Sequence, residues 1–268
     1  MIEFIDVCYR YPNGTVALRD VSLKIGKGVM AIVGPNGSGK TTLALHMNGI
    51  LKPSSGKVLV DGVDTRNTPV SKLSQIVGYV FQNPERMFFE DTVFREVVFG
   101  PSNLGLPKEE VQRRGKRALA SVGLEGYEER NPLSLSGGEQ KRLAIASILA
   151  MEPEYIVMDE PMAGLDWWGK LDVVKTLQEV AREGKGVVIL THDMELVMRL
   201  AEKVVLMDVG RVAFDGNVED FLNLKLEKYG LRTPEIVRLS RWFGVSPVRT
   251  VEELINLIGD GEDERVPK

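Results

Sequence analysis

The chain has 268 residues, and its 34 lysine and arginine residues against 38 aspartate and glutamate residues give a formal net charge of −4 at pH 7. A hydrophobic share of 43% and a charged share of 27% are typical of a globular protein and argue against a disordered chain. The single cysteine and only two histidines exclude an internal disulfide and a structural zinc site. No apolar run reaches the ~20 residues of a membrane-spanning helix, the first residues lack the features of a signal peptide, and the acidic balance argues against coating nucleic acid. We therefore expect a cytosolic α/β protein.

The first part of the chain predicts strands on both sides of a glycine-rich turn. Apolar residues alternate up to Tyr11, which is typical of a strand, and the turn Pro12-Asn13-Gly14 ends it. A short apolar run over residues 29–33 predicts a buried strand, and a helix that stops near Gly49 follows. Further strands are predicted over residues 21–25, 57–60 and 76–81.

The strand pattern disappears over residues 85–152, where apolar residues recur at helical spacing around Val97, Leu119 and Ile145. Strand and helix alternate again over residues 154–215. Buried strands are predicted at 155–158 and 187–190, on either side of a helix over 170–181. This order predicts a mostly parallel sheet with an all-helical insert in its middle.

The C-terminal part of the chain predicts two more helices. Thr233 followed by Pro234 predicts an N-cap with proline at the first helical position, opening a helix that runs through Phe243. Thr250 is predicted to cap a second helix. Residues 259–268 are polar, and we expect them to be frayed.

Residues 34–41 fit the phosphate-binding pattern G-x-x-x-x-G-K-[ST] without a mismatch. Glycines allow consecutive backbone N–H groups to turn toward one anion, and the following helix presents its positive end to the same point. A glycine-rich turn without a ligand is the alternative, but the position between a buried strand and a helix favours a nucleoside triphosphate. We expect Lys40 to reach its terminal phosphates and the Thr41 hydroxyl to ligate Mg²⁺. The residues expected to hold ATP are Gly34, Asn36, Gly37, Ser38, Gly39, Lys40, Thr41 and Thr42.

Two acidic residues, Asp159 and Glu160, directly follow the apolar run over residues 155–158. A buried parallel strand delivers its last side chains to the ligand crevice at the carboxyl edge of the sheet. We therefore expect Asp159 to hold Mg²⁺ and Glu160 to act as the general base that polarises the attacking water. Two solvated acids that cap the next helix are the alternative, which the neighbouring phosphate loop disfavours.

Residues 135–140, Leu-Ser-Gly-Gly-Glu-Gln, resemble the signature motif of ATP-binding cassette (ABC) ATPases. A serine and two glycines at the start of a helix form a second anion site that lacks a lysine. The resemblance implies that this site faces the γ-phosphate bound by another subunit, so that two nucleotides are sandwiched between two chains. A serine-glycine helix cap without a ligand is the alternative, which the order and spacing of the motifs disfavour. The residues concerned are Ser136, Gly137, Gly138 and Glu139.

Other motifs of the family follow in the same order along the chain. Gln82 resembles the Q-loop glutamine, which senses Mg²⁺ and the water, and Asp166 resembles the D-loop aspartate, which contacts the opposite subunit. His192 resembles the switch histidine that touches the γ-phosphate. Tyr11 resembles the aromatic residue that stacks on adenine, although a packing role for this tyrosine is the alternative.

The resemblance implies an α/β P-loop NTPase with the ABC ATPase fold. This fold has a mostly parallel sheet core, an N-terminal antiparallel β portion, a helical insert and a C-terminal helical extension. We expect an ABC ATPase domain over residues 1–225, with its helical subdomain at about 85–152, and an extension over 226–268 that helps two ATPases associate. In the D-loop the chain departs from the family pattern at Met162 and Trp167.

Residues 81–89, Phe-Gln-Asn-Pro-Glu-Arg-Met-Phe-Phe, resemble one branch of the family, the ATPases of energy-coupling factor (ECF) transporters and their cobalt/nickel relatives. The resemblance implies a peripheral subunit on the cytoplasmic side of the cell membrane that powers the import of vitamins or transition-metal ions. Its partners would be a second ABC ATPase subunit, identical or paralogous, an integral membrane coupling subunit and a substrate-binding membrane component. Met87, Phe88 and Phe89 either line a groove for the membrane subunit or pack the helical insert.

The competing functional class is a soluble ABC ATPase that acts on nucleic acid or ribosomes. Repair-type members place a long coiled coil between the phosphate loop and the signature, and the stretch from Lys40 to Leu135 is too short for one. Ribosome-associated members usually carry two cassettes, and this chain has one. The negative charge also favours a protein without a nucleic acid partner.

Overall fold

The computed structural model describes residues 1–84 and 87–259. An N-terminal stretch that is mostly strand precedes a region in which strands and helices alternate. The strands in the described part of the chain are β1 (Ile2–Arg10), β2 (Val16–Ile25), β3 (Gly28–Val33), β4 (Ser55–Val60), β5 (Val63–Asp64), β6 (Val77–Val80), β7 (Tyr155–Asp159), β8 (Gly186–Leu190), β9 (Lys203–Asp208) and β10 (Arg211–Asn217). The α-helices there are α1 (Lys40–Met47), α2 (Val70–Leu73), α3 (Val93–Asn103), α4 (Lys108–Ser121), α5 (Gly137–Leu149), α6 (Trp167–Arg182), α7 (Met194–Leu200), α8 (Val218–Leu222), α9 (Glu235–Trp242) and α10 (Val251–Gly259).

The strands form two sheets. An antiparallel sheet has the order β2-β1-β4-β5, and a second sheet has the order β10-β9-β3-β8-β7-β6. In the second sheet all neighbours pair in parallel except β9 and β10. Every residue of β7 and β8 is buried, as expected for parallel strands that are covered on both faces. The continuous apolar runs that predicted these strands are therefore the result of burial on both faces.

One hydrophobic core fills the space between the two sheets and α1. Ile2 and Leu23 of the antiparallel sheet pack there with Val157 and Val188 of the parallel sheet and with Leu43 of α1. Burying a side chain of this size stabilises the fold by roughly 1.5–3 kcal/mol. This packing holds α1 against the sheet, so the loop that precedes it has a fixed end.

The helical insert and α6 cover the opposite face of the parallel sheet. Val97 of α3, Leu119 of α4 and Leu143 of α5 are fully buried and belong to the same cluster as Ile156 and Ile189 of the sheet. The periodic apolar residues of the insert are thus the side that meets the sheet. Through these contacts α5 is anchored to the strands that carry the candidate site.

The parallel register brings the ends of β3, β7 and β8 to one edge of the sheet. Ile32 pairs with Leu190, and Leu190 pairs with Asp159. The ladder continues beyond the strands, because the Glu160 N–H donates to the Leu190 carbonyl at 2.9 Å and the Thr191 N–H donates to the Ile32 carbonyl at 3.1 Å. The loop after β3, the acids after β7 and the residues after β8 therefore meet at this edge.

The expected elements are largely confirmed, with shifted boundaries. The helices expected in the insert are α3, α4 and α5, and the strand expected over residues 21–25 begins earlier, at Val16. The Thr250 cap is confirmed, since the Glu253 N–H donates to its hydroxyl oxygen at 3.1 Å. Gly259 ends α10, while residues 260–268 lie outside the described residues. Among the described residues, no helix is long and apolar enough to cross a membrane.

The predicted start of α9 was wrong by one residue. Thr233 is not the N-cap, because that place belongs to Pro234, which has ψ 148° and whose carbonyl accepts from the Arg238 N–H at 3.1 Å. The helix therefore begins at Glu235 rather than at the proline. The Thr233 side chain is buried instead of exposed at a helix end.

Candidate nucleotide site

The loop between β3 and α1 carries the predicted phosphate-binding residues. Gly34 has φ 149°, and a Cβ at this position would lie 2.3 Å from the Met207 carbonyl oxygen and 2.8 Å from Ser38 Oγ. Gly37 and Gly39 have φ of 78° and 104°, in the left-handed region that favours glycine. Because Gly39 stands at the N-cap of α1, the first N–H groups of the helix are open to an anion.

Lys40 opens α1, and its side chain folds back over the loop. Its Nζ donates to the Gly34 carbonyl at 2.7 Å and to the Pro35 carbonyl at 3.0 Å. Burial lowers the pKa of Lys40, and the nearby charges of Glu160 and Asp159 oppose that shift. A phosphate bound here would give the ammonium group charged acceptors, which make stronger hydrogen bonds than neutral carbonyl oxygens.

The remaining loop residues also fit an anion. The Ser38 hydroxyl is buried and has no hydrogen-bond partner among the described residues. Such a group costs free energy unless a ligand satisfies it. Asn36 lies exposed at the tip of the loop, and Thr42 is buried one residue after Thr41. The loop therefore has donors that a phosphate group can use.

Asp159, the last residue of β7, lies directly beside the start of α1. Its Oδ2 accepts hydrogen bonds from the Thr41 hydroxyl at 2.9 Å and from the Tyr79 hydroxyl at 3.3 Å. Burial raises the pKa of Asp159; the two hydrogen bonds oppose that shift and the charge of Glu160 adds to it. A carboxylate next to a hydroxyl is the kind of oxygen ligand set that Mg²⁺ takes, together with phosphate oxygens and water. Mg²⁺ held here would neutralise charge on the β- and γ-phosphates.

Glu160 has an unusual backbone conformation and a fully engaged side chain. Its φ is 47°, in the left-handed region that is uncommon for residues other than glycine. Its Oε1 lies 2.7 Å from His192 Nδ1, and its Oε2 accepts from the Thr191 hydroxyl at 3.2 Å. The structure thus brings together Glu160 and His192, which sequence analysis selected as base and switch residue.

Gln82 lies two residues beyond β6, at the same edge of the sheet. Its carbonyl oxygen accepts a hydrogen bond from Nζ of Lys141, a buried lysine of α5, at 2.8 Å. The Gln82 side chain is exposed. Through Lys141 the segment after β6 is tied to the helix that begins at the signature motif.

Tyr11 lies over the start of α1. Its hydroxyl is 2.9 Å from Thr42 Oγ1, and its ring packs edge-to-face on Tyr9 at 4.9 Å. The side chain is half-buried. This position beside the phosphate loop is compatible with stacking on a base, which stays a prediction.

The signature residues form the capped start of α5. The Glu139 N–H donates to Ser136 Oγ at 3.4 Å, and Glu139 Oε2 accepts from the Ser136 N–H at 2.8 Å, which completes a capping box. This backbone hydrogen bond lowers the pKa of Glu139. Ser136 and Gly137 are exposed, so the helix tip is open to a ligand or a partner.

The D-loop residues divide between core and surface. Asp166 is the N-cap of α6, with its Oδ1 accepting from the Gly169 N–H at 2.8 Å. Met162 is buried in the core cluster of the helical insert, which accounts for an apolar residue at this position. Trp167 and Trp168 are 56% and 74% exposed and follow Asp166 directly, so a large aromatic surface lies beside the D-loop.

Sequence analysis missed three residues of the site: Tyr79, Thr191 and Lys141. Thr191 precedes His192, and its hydroxyl also accepts from the Asp193 N–H at 3.0 Å, which a single sequence does not reveal. Tyr79 lies in a predicted strand, but its contact with Asp159 depends on which strands are neighbours. In the sequence alone, Lys141 looks like an ordinary lysine on the surface of a helix. An otherwise apolar helix face at Lys141 is the one signal that indicates its burial.

A model of the ABC transporter family matches residues 18–163, more than half of the chain. The chain therefore belongs to the ABC transporter family. It is similar to a putative ABC transporter ATP-binding protein of Pyrococcus horikoshii, with 52% identity over 259 residues that cover 97% of this chain and 100% of the relative. It is also similar to the energy-coupling factor transporter ATP-binding protein EcfA of Methanothermobacter thermautotrophicus, with 45% identity over 97% of this chain and 88% of EcfA.

Solved structures agree with this assignment. The structure of cbiO1 from Clostridium perfringens, described as part of the ABC transporter complex cbiONQ, matches with a TM-score of 0.77 and 38% identity, covering 90% of this chain and 98% of cbiO1. A dimeric post-hydrolysis state of the ATP-binding cassette MJ0796, bound to ADP and Pi, matches with a TM-score of 0.74 and 28% identity, covering 81% of this chain and 99% of that one. The expected ABC ATPase fold is confirmed. The protein is an ABC ATPase, whose ATP hydrolysis is coupled to transport.

Proposed function

We propose that the chain is the ATPase subunit of an energy-coupling factor importer for vitamins or transition-metal ions. The observation that carries this proposal is the 45% identity to EcfA over 97% of the chain, in a protein whose phosphate loop, acids and histidine meet at one sheet edge. The relatives favour transport over an ATPase that acts on nucleic acid or ribosomes. We propose no nucleic acid partner for the chain.

In this proposal the phosphate loop and the end of β7 bind Mg²⁺ and ATP. Lys40 holds the terminal phosphates, while Thr41 and Asp159 ligate Mg²⁺, with Gln82 beside them. The first N–H groups of α1 are open to a phosphate, and Lys40 would exchange its two carbonyl acceptors for phosphate oxygens. Tyr11 stacks on the adenine ring above α1.

Hydrolysis is proposed to depend on Glu160. Its carboxylate accepts a proton from the attacking water, and His192, now bonded to that carboxylate, turns toward the γ-phosphate when ATP is bound. The Thr191 hydroxyl keeps its hydrogen bond to the second carboxylate oxygen of Glu160. Glu160 thus remains oriented when His192 leaves it.

The second half of each site is proposed to come from another ATPase subunit, identical or paralogous. The exposed tip of α5, with Ser136 and Gly137, is suited to face a γ-phosphate bound by the partner. Asp166 is proposed to contact the same partner. The relative MJ0796 is described as a dimer. The extension over residues 226–268 is proposed to strengthen this association.

A membrane subunit and a substrate-binding membrane component complete the proposed assembly, with the chain bound peripherally on the cytoplasmic side. Phe89 is 61% exposed and its ring packs edge-to-face on Phe99, which is also exposed. Phe88 instead packs against the core of the insert. We therefore propose that Phe89, rather than Phe88, contacts the membrane subunit, and that Met87 stands beside it.

The test is Glu160→Gln. Turnover of ATP is expected to fall by roughly 10²–10⁴, the usual contribution of a general base, while nucleotide binding persists. The variant should accumulate as an ATP-bound dimer in size-exclusion chromatography. The exposed Glu109→Gln on α4 is the matched control and should turn over ATP normally. Unchanged turnover in Glu160→Gln would reject the assigned base.

The transport assignment is tested by co-purification from detergent-solubilised membranes. The tagged chain is expected to extract together with a hydrophobic membrane subunit. Recovery with nucleic acid or ribosomes, and without a membrane protein, would contradict the proposal.

A further inference from the structure

A buried tyrosine reaches the carboxylate at the candidate Mg²⁺ site. Tyr79 lies in β6, is 4% exposed, and its hydroxyl is 3.3 Å from Asp159 Oδ2. Because the Asp159 carboxylate only accepts, the tyrosine donates. None of the sequence motifs discussed above includes this residue.

The strand register explains the contact. Tyr79 pairs with Val157 in the parallel ladder of β6 and β7, and the next β7 residue on the same face is Asp159. A tyrosine ring is long enough to extend to that position. The ring also packs against Phe81, at 4.6 Å between ring centroids. The hydroxyl is therefore fixed in place by the backbone pairing and by packing.

The hydrogen bonds fix one oxygen of the carboxylate and leave the other available. The hydroxyls of Thr41 and Tyr79 both donate to Oδ2 of Asp159. Within the described part of the chain, no hydrogen bond reaches Oδ1. Two donors on one oxygen set the rotation of the carboxylate. Of the two, only Tyr79 lies outside the phosphate-binding segment.

We propose that Tyr79 is a positioning residue for Mg²⁺, which orients the Asp159 carboxylate so that its second oxygen faces the cation. This inference rests on the proposed function, since it requires Asp159 to be a Mg²⁺ ligand. Tyr79 acts only through Asp159. Partners that orient a metal ligand in this way commonly change metal affinity by about 10–100-fold when they are removed.

Tyr79→Phe removes the hydroxyl and keeps the ring in the core. The matched control is Tyr155→Phe, which removes a hydroxyl from a tyrosine of the same buried cluster, at the other end of β7. Nucleotide binding is measured by calorimetry at a series of Mg²⁺ concentrations and in EDTA. Thermal unfolding of each variant reports on the fold.

In Tyr79→Phe the Mg²⁺ concentration for half-maximal enhancement of nucleotide binding should rise about tenfold, the lower end of the range for such partners. Affinity in EDTA and the unfolding temperature should stay close to those of the wild type. ATP turnover should recover at saturating Mg²⁺, because only the affinity for the cation has changed. Tyr155→Phe should show the wild-type Mg²⁺ dependence.

The outcomes separate this inference from the proposed function. An unchanged Mg²⁺ dependence in Tyr79→Phe, or an equal shift in Tyr155→Phe, would overturn the positioning role alone. Wild-type nucleotide binding that does not respond to Mg²⁺ would overturn both this role and the proposed cation site.

Discussion

Glu160 is the residue at which local conformation and chemistry are most closely linked. Its φ of 47° is a conformation that costs a non-glycine residue roughly 1–3 kcal/mol. The conformation places its side chain between Thr191 and His192, which bond one carboxylate oxygen each. The position at the end of β7 and the two hydrogen bonds, rather than the conformation alone, support the proposed role.

At Thr191 we predict a catalytic defect that follows from one hydroxyl. Thr191→Val keeps the shape and removes the donor to Glu160 Oε2, a hydrogen bond to a charged group worth about 1.5–3 kcal/mol. Turnover of ATP should fall about tenfold or more, with nucleotide affinity unchanged. Steady-state kinetics measure the turnover, and calorimetry measures the nucleotide affinity. Thr191→Ser, which keeps the hydroxyl, should retain most of the activity; an equal loss in both variants would contradict this role.

At Asp159 we predict that the buried carboxylate proposed to ligate Mg²⁺ lowers the stability of the folded protein. Burial raises the pKa of Asp159, so the folded protein binds the proton more tightly than the unfolded chain does. Stability from this group is therefore greatest at low pH and is lost as the pH rises through the raised pKa. At neutral pH and without nucleotide, Asp159→Asn should unfold at a higher temperature than the wild type. The difference in unfolding temperature should become smaller as the pH falls toward about 4.

Thermal unfolding over that pH range measures the effect, and Asp215→Asn, at an exposed position of β10, is the control. The control should unfold like the wild type at neutral pH. A wild type more stable than Asp159→Asn at neutral pH would be the contrary result.

At the scale of elements, the sequence predicts those parts that local rules determine. The buried runs of β3, β7 and β8 and the phosphate loop follow from short patterns, and the resemblance added the signature and D-loop residues. The contact of Tyr79 with Asp159 depends on the pairing of β6 with β7, which are separated by the whole helical insert. No local pattern encodes that pairing.

Each error at an element boundary has an identifiable physical cause. Thr233 has the right side chain for an N-cap, but the extended ψ of Pro234 moves the start of α9 to Glu235. The early start of β2 at Val16 reflects pairing with β1, where Val16 is opposite Arg10. Thr250 was predicted correctly because its cap depends only on the residues that follow it.

For the start of α5 we predict two separable effects of one hydroxyl. Ser136→Ala removes half of the capping box and should destabilise the protein by about 1 kcal/mol. It should also reduce ATP-dependent dimerisation, because the same hydroxyl is proposed to face the partner's nucleotide. Urea unfolding and size-exclusion chromatography with ATP measure the two effects.

Thr92→Ala is the matched control for that experiment. Thr92 caps α3 in the same way, with its hydroxyl oxygen accepting from the Arg95 N–H at 3.3 Å. It should lose a similar amount of stability and dimerise normally. Equal loss of dimerisation in both variants would mean that helix capping alone accounts for the effect.

At the scale of the whole molecule, two of the exposed aromatic surfaces have separate proposed partners. Trp242 of α9 is 70% exposed and packs edge-to-face on Phe243, in the extension proposed to join two ATPases. Phe89 and Phe99 form the other surface, on the helical insert. Each surface is formed by two packed rings, and contiguous exposed apolar patches often mark sites of protein contact.

We predict that the two surfaces can be disabled independently. Trp242→Ala should weaken dimerisation, measured by analytical ultracentrifugation, and leave recovery with the membrane subunit intact. Phe89→Ala should reduce that recovery and leave the dimer intact. Each variant is the control for the other, and loss of both interactions in either one would contradict separate surfaces.

The meeting of β3, β7 and β8 at one edge has a consequence for how such a chain tolerates change. Because Val157 and Val188 are fully buried in one cluster, we expect a larger or smaller side chain at either position to shift neighbouring strand ends. The groups proposed to bind phosphate, activate water and hold the cation would then lose their alignment together. The interior of this sheet is therefore constrained by folding and by the proposed chemistry at once.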